Sequence, residues 1–145
     1  MSDVLTLSQI RMPGTARSKD DASREAGQML VDAGAVTPDY IDSMFDRERS
    51  VSTYMGNYLA IPHGTNEAKE QIKRSALSVI RYPEPIDWDG NQVLFALGIA
   101  GYQGGHMDIL SRIALVFSDT DEVDKMVAAK SAEEIYDLLN AVNEE

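Results

Sequence analysis

The chain has 145 residues, 43% of them hydrophobic, so it is long enough to form one domain with its own buried core. Its 13 Lys and Arg residues against 24 Asp and Glu residues give a net charge of −11, which disfavours binding to nucleic acids or anionic membranes. The absence of cysteine excludes disulfides, thiolate catalysis and thiolate metal ligands. We expect a single domain over residues 1–145, located in the cytoplasm, because no apolar run approaches the roughly 20 residues that span a bilayer.

The N-terminal segment is predicted to form a short strand and then a helix. The strand lies around Gln9–Met12 and is broken by the Pro-Gly pair that follows it. Apolar residues at helical spacing predict an amphipathic helix over 21–34, for which Asp20 or Asp21 is the N-cap.

A second helix is predicted directly afterwards. Thr37 is its expected N-cap, and the proline that follows suits the first helical position. Its buried face is predicted to consist of Ile41, Met44 and Phe45. The helix is expected to end near Arg49.

The middle of the chain is predicted to supply most of a sheet. Residues 53–65 are rich in β-branched and aromatic residues around Gly56, which indicates a hairpin or a bent strand that ends at Pro62. The next segments are predicted to be exposed helical turns, a strand, a turn and a second strand, over 66–74, 75–82, 83–91 and 92–100. The last of these is almost continuously apolar, which is typical of a strand covered on both faces.

Three helices are predicted to close the chain, over 106–118, 121–130 and 132–142. The second is capped by Asp119 or Thr120, and Ser131 with Glu134 forms a capping box for the third. In the first, Ile109, Leu110, Ile113, Ala114 and Phe117 keep a helical period. Helices before, between and after the strands indicate an α/β (α+β) fold, a three-layer sandwich in which a mixed sheet has helices on both faces.

His63 is the first candidate functional residue, because it stands between Pro62 and Gly64 at the end of a strand. Pro62 cannot donate a ladder hydrogen bond, so the strand must end there, and Gly64 permits a tight turn with exposed backbone amides. Strand ends in open α/β sheets are common positions for ligands and chemistry. An ordinary surface histidine in a loop is the alternative.

His106 is the second candidate, because it lies in the first turn of a predicted helix, where the dipole favours an anion. Both histidines follow strands, and their convergence at one sheet edge is expected. One neutral imidazole could accept a phosphoryl group while the other ring binds its oxygens. Arg47, at the end of the second helix, is a candidate to complete the site with its planar guanidinium. The alternatives are a solvated helix cap for His106 and an exposed helix end for Arg47.

Two motifs carry a resemblance to a known family. The DRE at 46–48 and the STYMGNYLAIPHGT at 52–65 resemble the enzyme IIA domains of the sugar phosphotransferase system, in the mannitol/fructose family, and most of all its mannitol branch. The likeness continues through DASREAGQMLVDAGAVTPDYIDSMFDRE and LGIAGYQGGHMDILSRIALVFSD to the closing helices, so it covers nearly the whole chain.

The resemblance implies a mannitol-type IIA fold and a phosphocarrier function. His63 would accept a phosphoryl group at Nε2 from phospho-HPr and pass it to enzyme IIB, which works with a membrane IIC component. His106 and Arg47 would stabilise the phosphoryl group, without a metal or cofactor. Two other classes stay open: a regulatory module of the nitrogen-related branch, and a metal hydrolase, for which the sequence lacks a ligand spacing such as His-x-x-x-His.

Overall fold

The computed structural model describes residues 4–50, 52–65, 70–102 and 106–140. Within these ranges the chain forms a mixed five-stranded sheet in the order β1-β4-β5-β3-β2. The strands are β1 Ile10–Arg11, β2 Tyr54–Gly56, β3 Leu59–Ala60, β4 Ala76–Trp88 and β5 Asn91–Ala100. The helices are a short 3-10 helix Leu7–Gln9 and α1 Lys19–Asp32, α2 Tyr40–Ser50, α3 His106–Phe117, α4 Thr120–Ala128 and α5 Ala132–Leu139. The predictions for 66–69, 103–105 and 141–142 fall outside the described residues.

The central strand is β5, as its continuous apolar run predicted. It pairs antiparallel with β4 and parallel with β3. Residues 93–100 are all buried. Because β3 and β5 are parallel, their C-terminal ends lie at the same edge of the sheet.

The helices cover both faces of the sheet. Phe95, Leu97 and Ile99 point to one face, where they share a buried cluster with residues of α3, α4 and α5. Ala96 points to the other face and joins a cluster with α1, and Ala100 joins a cluster with α2. The predicted three-layer α/β sandwich is therefore confirmed. Among the described residues, no helix is both long enough and apolar enough to span a bilayer.

Two helix starts differ from the sequence prediction. The N-cap of α1 is Ser18, whose Oγ accepts a hydrogen bond from the Asp21 amide at 3.2 Å. Asp20 and Asp21 lie instead inside the first turn, where their charge interacts favourably with the helix dipole. The second helix, α2, begins only at Tyr40, because 38–39 form a tighter turn that is closed by a 3.0 Å bond from the Tyr40 amide to the Thr37 carbonyl.

The prediction of a turn over 83–91 was wrong, because β4 continues to Trp88 and only Asp89 and Gly90 form the turn. The β4–β5 ladder shifts register between Arg81 and Ile86. The two prolines of β4 fall in this unpaired stretch, where a missing N–H costs no ladder bond.

The remaining elements largely follow the predictions. Asn57 and Tyr58, with φ of 51° and 69°, form the turn between β2 and β3, so the hairpin alternative is correct. Asp119 is the N-cap of α4, and the Ser131 Oγ accepts from the Glu134 amide at 3.2 Å. The capping box is incomplete, since the Glu134 carboxylate accepts from the Lys130 amide rather than from that of Ser131. In α3, Ala114 is exposed rather than buried.

Candidate functional site

His63 lies on a segment that extends β3 along the central strand. The Ile99 amide donates to the Pro62 carbonyl at 3.0 Å, and His63 forms an isolated parallel bridge with Ile99. The Ile61 amide donates to the Thr53 carbonyl at 3.1 Å. The backbone before His63 is thus held from two sides, while the histidine itself is partly exposed.

The tautomer of His63 is set by its own chain. Nδ1 lies 2.7 Å from the carbonyl oxygen of Ile61, and this oxygen can only accept, so Nδ1 carries the proton. In the neutral ring the lone pair is then on Nε2. The sequence analysis did not identify this partner. The extended conformation that Pro62 imposes on Ile61 was the available signal.

Position 64 is so closely packed that it has no room for a side chain larger than that of glycine. A Cβ built there would lie 2.4 Å from Ser43 Oγ and 2.5 Å from Tyr40 Cε1. The prediction of exposed amides was wrong for this residue, because its N–H donates to Tyr40 Oη at 2.8 Å. The packing of α2 against residues 63–64 is the reason for both observations.

Tyr40 is a buried residue that the sequence analysis did not single out. Its side chain is only 2% exposed, and its Oη donates to the carbonyl of Ile99 at 2.8 Å. Burial raises the pKa of the Tyr40 phenol to about 12, so it stays protonated at neutral pH. The signal in the sequence was its position one turn before Met44 on the same helix, since a tyrosine buried at such a position needs a hydrogen-bond partner.

Glu48 is a second buried polar residue that the sequence analysis did not identify. It is 7% exposed and accepts hydrogen bonds from the Thr53 amide at 2.9 Å, Thr53 Oγ1 at 2.5 Å and Trp88 Nε1 at 3.1 Å. These contacts join the end of α2 to the start of the hairpin and to the end of β4. The end of α2 is therefore tied to the hairpin directly beside Arg47.

Arg47 lies in the last turn of α2 and is partly buried. Tyr40, Ser43 and Arg47 are spaced by three and four residues, so they share one helix face. Tyr40 and Ser43 are the two residues that crowd Gly64. The face of α2 that carries Arg47 is therefore the face that packs on the His63 segment. The contribution of Arg47 to the site stays a prediction.

His106 is the first residue of α3, as predicted. The helix follows β5, whose C-terminal end lies at the same sheet edge as that of β3. Ile109, in the first turn of α3, belongs to the same buried cluster as Ile61 and Ile99. The start of α3 is thus packed at this edge, whereas the side chain of His106 lies outside the described part of the structure.

The fold and the site together define a class of protein. Proteins of this class are three-layer α/β domains with a partly exposed histidine at the end of a strand. In this chain the Nδ1–H group of that histidine donates to the backbone, so the lone pair lies on Nε2. Among the described residues, no group of three or more His, Asp or Glu side chains is placed to hold a metal ion.

The chain belongs to the family described as phosphoenolpyruvate-dependent sugar phosphotransferase system, EIIA 2, whose model matches residues 3–142. It is 48% identical over 141 residues to the mannitol-specific phosphotransferase enzyme IIA component of Halalkalibacterium halodurans, covering 97% of each chain. The crystal structure of IIA mannitol from Escherichia coli matches with a TM-score of 0.86 and 30% identity, over 93% of this chain and 98% of that one.

A second solved structure of the same kind is the complex of enzyme IIAMtl and phosphorylated enzyme IIBMtl from Escherichia coli. It matches with a TM-score of 0.86 and 29% identity, over 93% of this chain and 96% of that one. The family and the mannitol-type IIA fold that the sequence motifs implied are therefore confirmed.

Proposed function

We propose that this chain is a phosphocarrier that accepts a phosphoryl group from phospho-HPr on Nε2 of His63 and passes it to enzyme IIB. The purpose is the uptake and phosphorylation of mannitol or a related sugar through a membrane IIC component. The observation that carries the proposal is the 2.7 Å hydrogen bond between His63 Nδ1 and the Ile61 carbonyl, because it leaves the lone pair on Nε2. We further propose that residues 1–145 act as one domain in the cytoplasm.

The reaction is an in-line transfer in two steps. The family resemblance implies that the donor group of phospho-HPr is also a phosphohistidine. The Nε2 lone pair of His63 attacks phosphorus while the P–N bond to this donor imidazole breaks, and the donor imidazole keeps the bonding electron pair. The nucleophile of enzyme IIB, which the family resemblance implies to be a cysteine thiolate, then attacks the same phosphorus, and the His63 ring leaves with the electron pair. Throughout both steps the Ile61 carbonyl accepts a hydrogen bond from the Nδ1–H group and balances the partial positive charge of the phosphorylated ring.

His106 and Arg47 are proposed to bind the phosphoryl oxygens. Arg47 is supported by its place on the helix face that packs against the His63 segment. His106 is supported by its place at the N-terminus of α3, where the helix dipole favours a bound anion. The positive charge of the Arg47 guanidinium and an N–H group of the His106 ring would stabilise the transferring group without a metal ion.

The relatives favour sugar transport over the nitrogen-related regulatory role. The curated relative from Halalkalibacterium halodurans is named as mannitol-specific, at 48% identity over 97% of this chain. The Escherichia coli complex pairs a IIA of the same fold with a phosphorylated IIB, which supports enzyme IIB as the acceptor. We therefore assign this chain to transport, with mannitol as its leading sugar.

Labelling tests the proposal directly. The chain is incubated with enzyme I, HPr and radiolabelled phosphoenolpyruvate, and then with a mannitol-type IIB. We expect acid-labile label on the wild type, none on His63→Ala, and label on His106→Ala that moves to IIB at least ~10-fold more slowly. An unlabelled wild type, or label that survives acid, contradicts the phosphocarrier function. Replacing the mannitol-type IIB by a fructose-type IIB in this assay distinguishes mannitol from fructose as the transported sugar.

A further inference from the structure

We propose that Tyr40 is a positioning residue for His63, which acts through its hydroxyl group. The inference rests on the proposed phosphocarrier function and adds a residue to it. Tyr40 Oη accepts from the Gly64 amide and donates to the Ile99 carbonyl, both at 2.8 Å. It thus bonds to the residue that follows His63 and to the residue that pairs with His63 in the sheet.

The hydroxyl lies between two groups that a regular parallel ladder would bond to each other. In a regular parallel ladder, the amide after His63 would donate directly to the carbonyl of its partner residue, Ile99. The preceding ladder bond, from the Ile99 amide to the Pro62 carbonyl, is present at 3.0 Å. At the next step the Tyr40 oxygen joins the same two groups. The distance of Gly64 from β5, and therefore the point at which His63 leaves the sheet, is set by this oxygen.

The position of the hydroxyl is itself fixed. Its O–H donates a hydrogen bond to the Ile99 carbonyl, and its oxygen accepts one from the Gly64 amide, so both of its neighbours depend on it. The Tyr40 ring is 2% exposed and fills the space that a side chain at position 64 would need. The ring therefore has no room to swing away, and the contact is rigid enough to locate the peptide next to His63.

Tyr40 also sets the orientation of α2. Arg47 lies seven residues after Tyr40, which is about two helical turns. The two side chains therefore project in nearly the same direction from the helix axis. A bond from the first residue of α2 to the His63 segment therefore also orients the face that carries Arg47. Since a misplacement of about 1 Å in a transfer site costs ~100-fold in rate, losing this contact should slow the reaction far more than it perturbs partner binding.

Tyr82 provides a matched control. It is fully buried, and its Oη donates to Glu25 Oε1 at 2.9 Å, so Tyr82→Phe also removes a buried, bonded hydroxyl. Leu77 is the β4 residue that pairs with Ile99. Tyr82 is five residues further along the same strand, about 17 Å away at ~3.4 Å per residue. A purely structural contribution should be similar in the two variants.

The experiment compares Tyr40→Phe and Tyr82→Phe with the wild type, at a temperature where circular dichroism shows all three folded. Transfer from phospho-HPr is measured as kcat and KM. In parallel, NMR records hydrogen exchange of the Gly64 amide and the ring nitrogen shifts of His63. For Tyr40→Phe we expect kcat to fall ~10- to 100-fold with KM unchanged, faster Gly64 exchange and displaced His63 shifts. Tyr82→Phe should match the wild type in all of these.

The transfer assay and the NMR measurement test the phosphocarrier function and the role of Tyr40 separately. If the wild type is not phosphorylated, the proposed phosphocarrier function is contradicted. The NMR measurement then still decides whether Tyr40 positions His63. Unchanged Gly64 exchange and His63 shifts in Tyr40→Phe overturn the positioning role. With an active wild type, a kcat within about twofold of the wild type, or an equal loss in Tyr82→Phe, overturns it as well.

Discussion

Replacing Gly64 by alanine tests whether the space next to His63 is as restricted as the contacts indicate. The φ angle of Gly64 lies outside the left-handed region, so alanine fits the backbone and only its methyl group is in question. That methyl would lie 2.4 Å from Ser43 Oγ, 2.5 Å from Tyr40 Cε1 and 2.9 Å from Tyr40 Cζ. Either α2 or the His63 segment must move.

The loss of stability caused by Gly64→Ala can be estimated from this crowding. Adding one methyl group to a well-packed site lowers the free energy of unfolding by ~1–3 kcal/mol. For a domain of this size, that corresponds to a melting temperature lower by roughly 3–12 °C. Because the displaced atoms belong to Tyr40, the hydroxyl that bonds to the Gly64 amide moves too, and phosphoryl transfer to His63 should slow ~10-fold or more.

Gly14→Ala is the matched control for this prediction. Its methyl would lie 2.3 Å from Ile80 Cγ2 and 2.5 Å from Tyr82 Cε1, so the crowding is similar but involves β4 instead of α2. Urea unfolding should show a comparable loss of stability in both variants, whereas transfer from phospho-HPr should slow only in Gly64→Ala. If both variants, assayed while folded, transfer at the wild-type rate, the steric argument for Gly64 is wrong.

Two further predictions concern buried carboxylates. Glu48→Gln puts an amide NH2 opposite the donors of Thr53 or Trp88, and should destabilise the fold by ~1–3 kcal/mol. Since Trp88 is the single tryptophan, its fluorescence should shift; an unchanged spectrum and midpoint contradict the contact. For Glu25, burial raises the pKa, but hydrogen bonds from Arg11, Thr15 and Tyr82 outweigh this and lower the pKa from 4.5 to about 2. Its stabilisation should be complete above pH 4.5 and decline as the pH falls towards 2, and a Glu25→Gln variant that keeps the same acid dependence refutes this assignment.

Elements with a strong local pattern could be predicted from the sequence, and β5 is the clearest case. Its unbroken apolar run fits only a strand that is buried on both faces, and residues 93–100 are buried. The predicted end of the His63 strand at Pro62 was wrong, because β3 ends at Ala60 and pairing resumes beyond the proline, where His63 bridges Ile99. The extension of β4 was not predictable in this way, since the register shift that accommodates Pro83 and Pro85 depends on the partner strand.

The buried face of α2 shows where local patterns fail. Ile41, Met44 and Phe45 were predicted to be buried, but Ile41 and Phe45 are only partly so, while Tyr40 and Glu48 are buried. The hydrogen-bond partners of these two polar residues lie mostly far away in sequence: the Tyr40 hydroxyl bonds across separations of 24 and 59 residues, and Glu48 bonds to Trp88 across 40. Polar residues become buried when tertiary partners satisfy them, and no helical periodicity encodes those partners.

The hydrogen bond from His63 Nδ1 to the Ile61 carbonyl lies within three consecutive residues, so it does not depend on which protein docks there. On the proposed function, the incoming donor and the departing acceptor must therefore use the same nitrogen, Nε2, and they cannot occupy it together. The carrier then works as a shuttle that releases one protein before it meets the other. Its steady-state kinetics should accordingly be ping-pong, without a ternary complex.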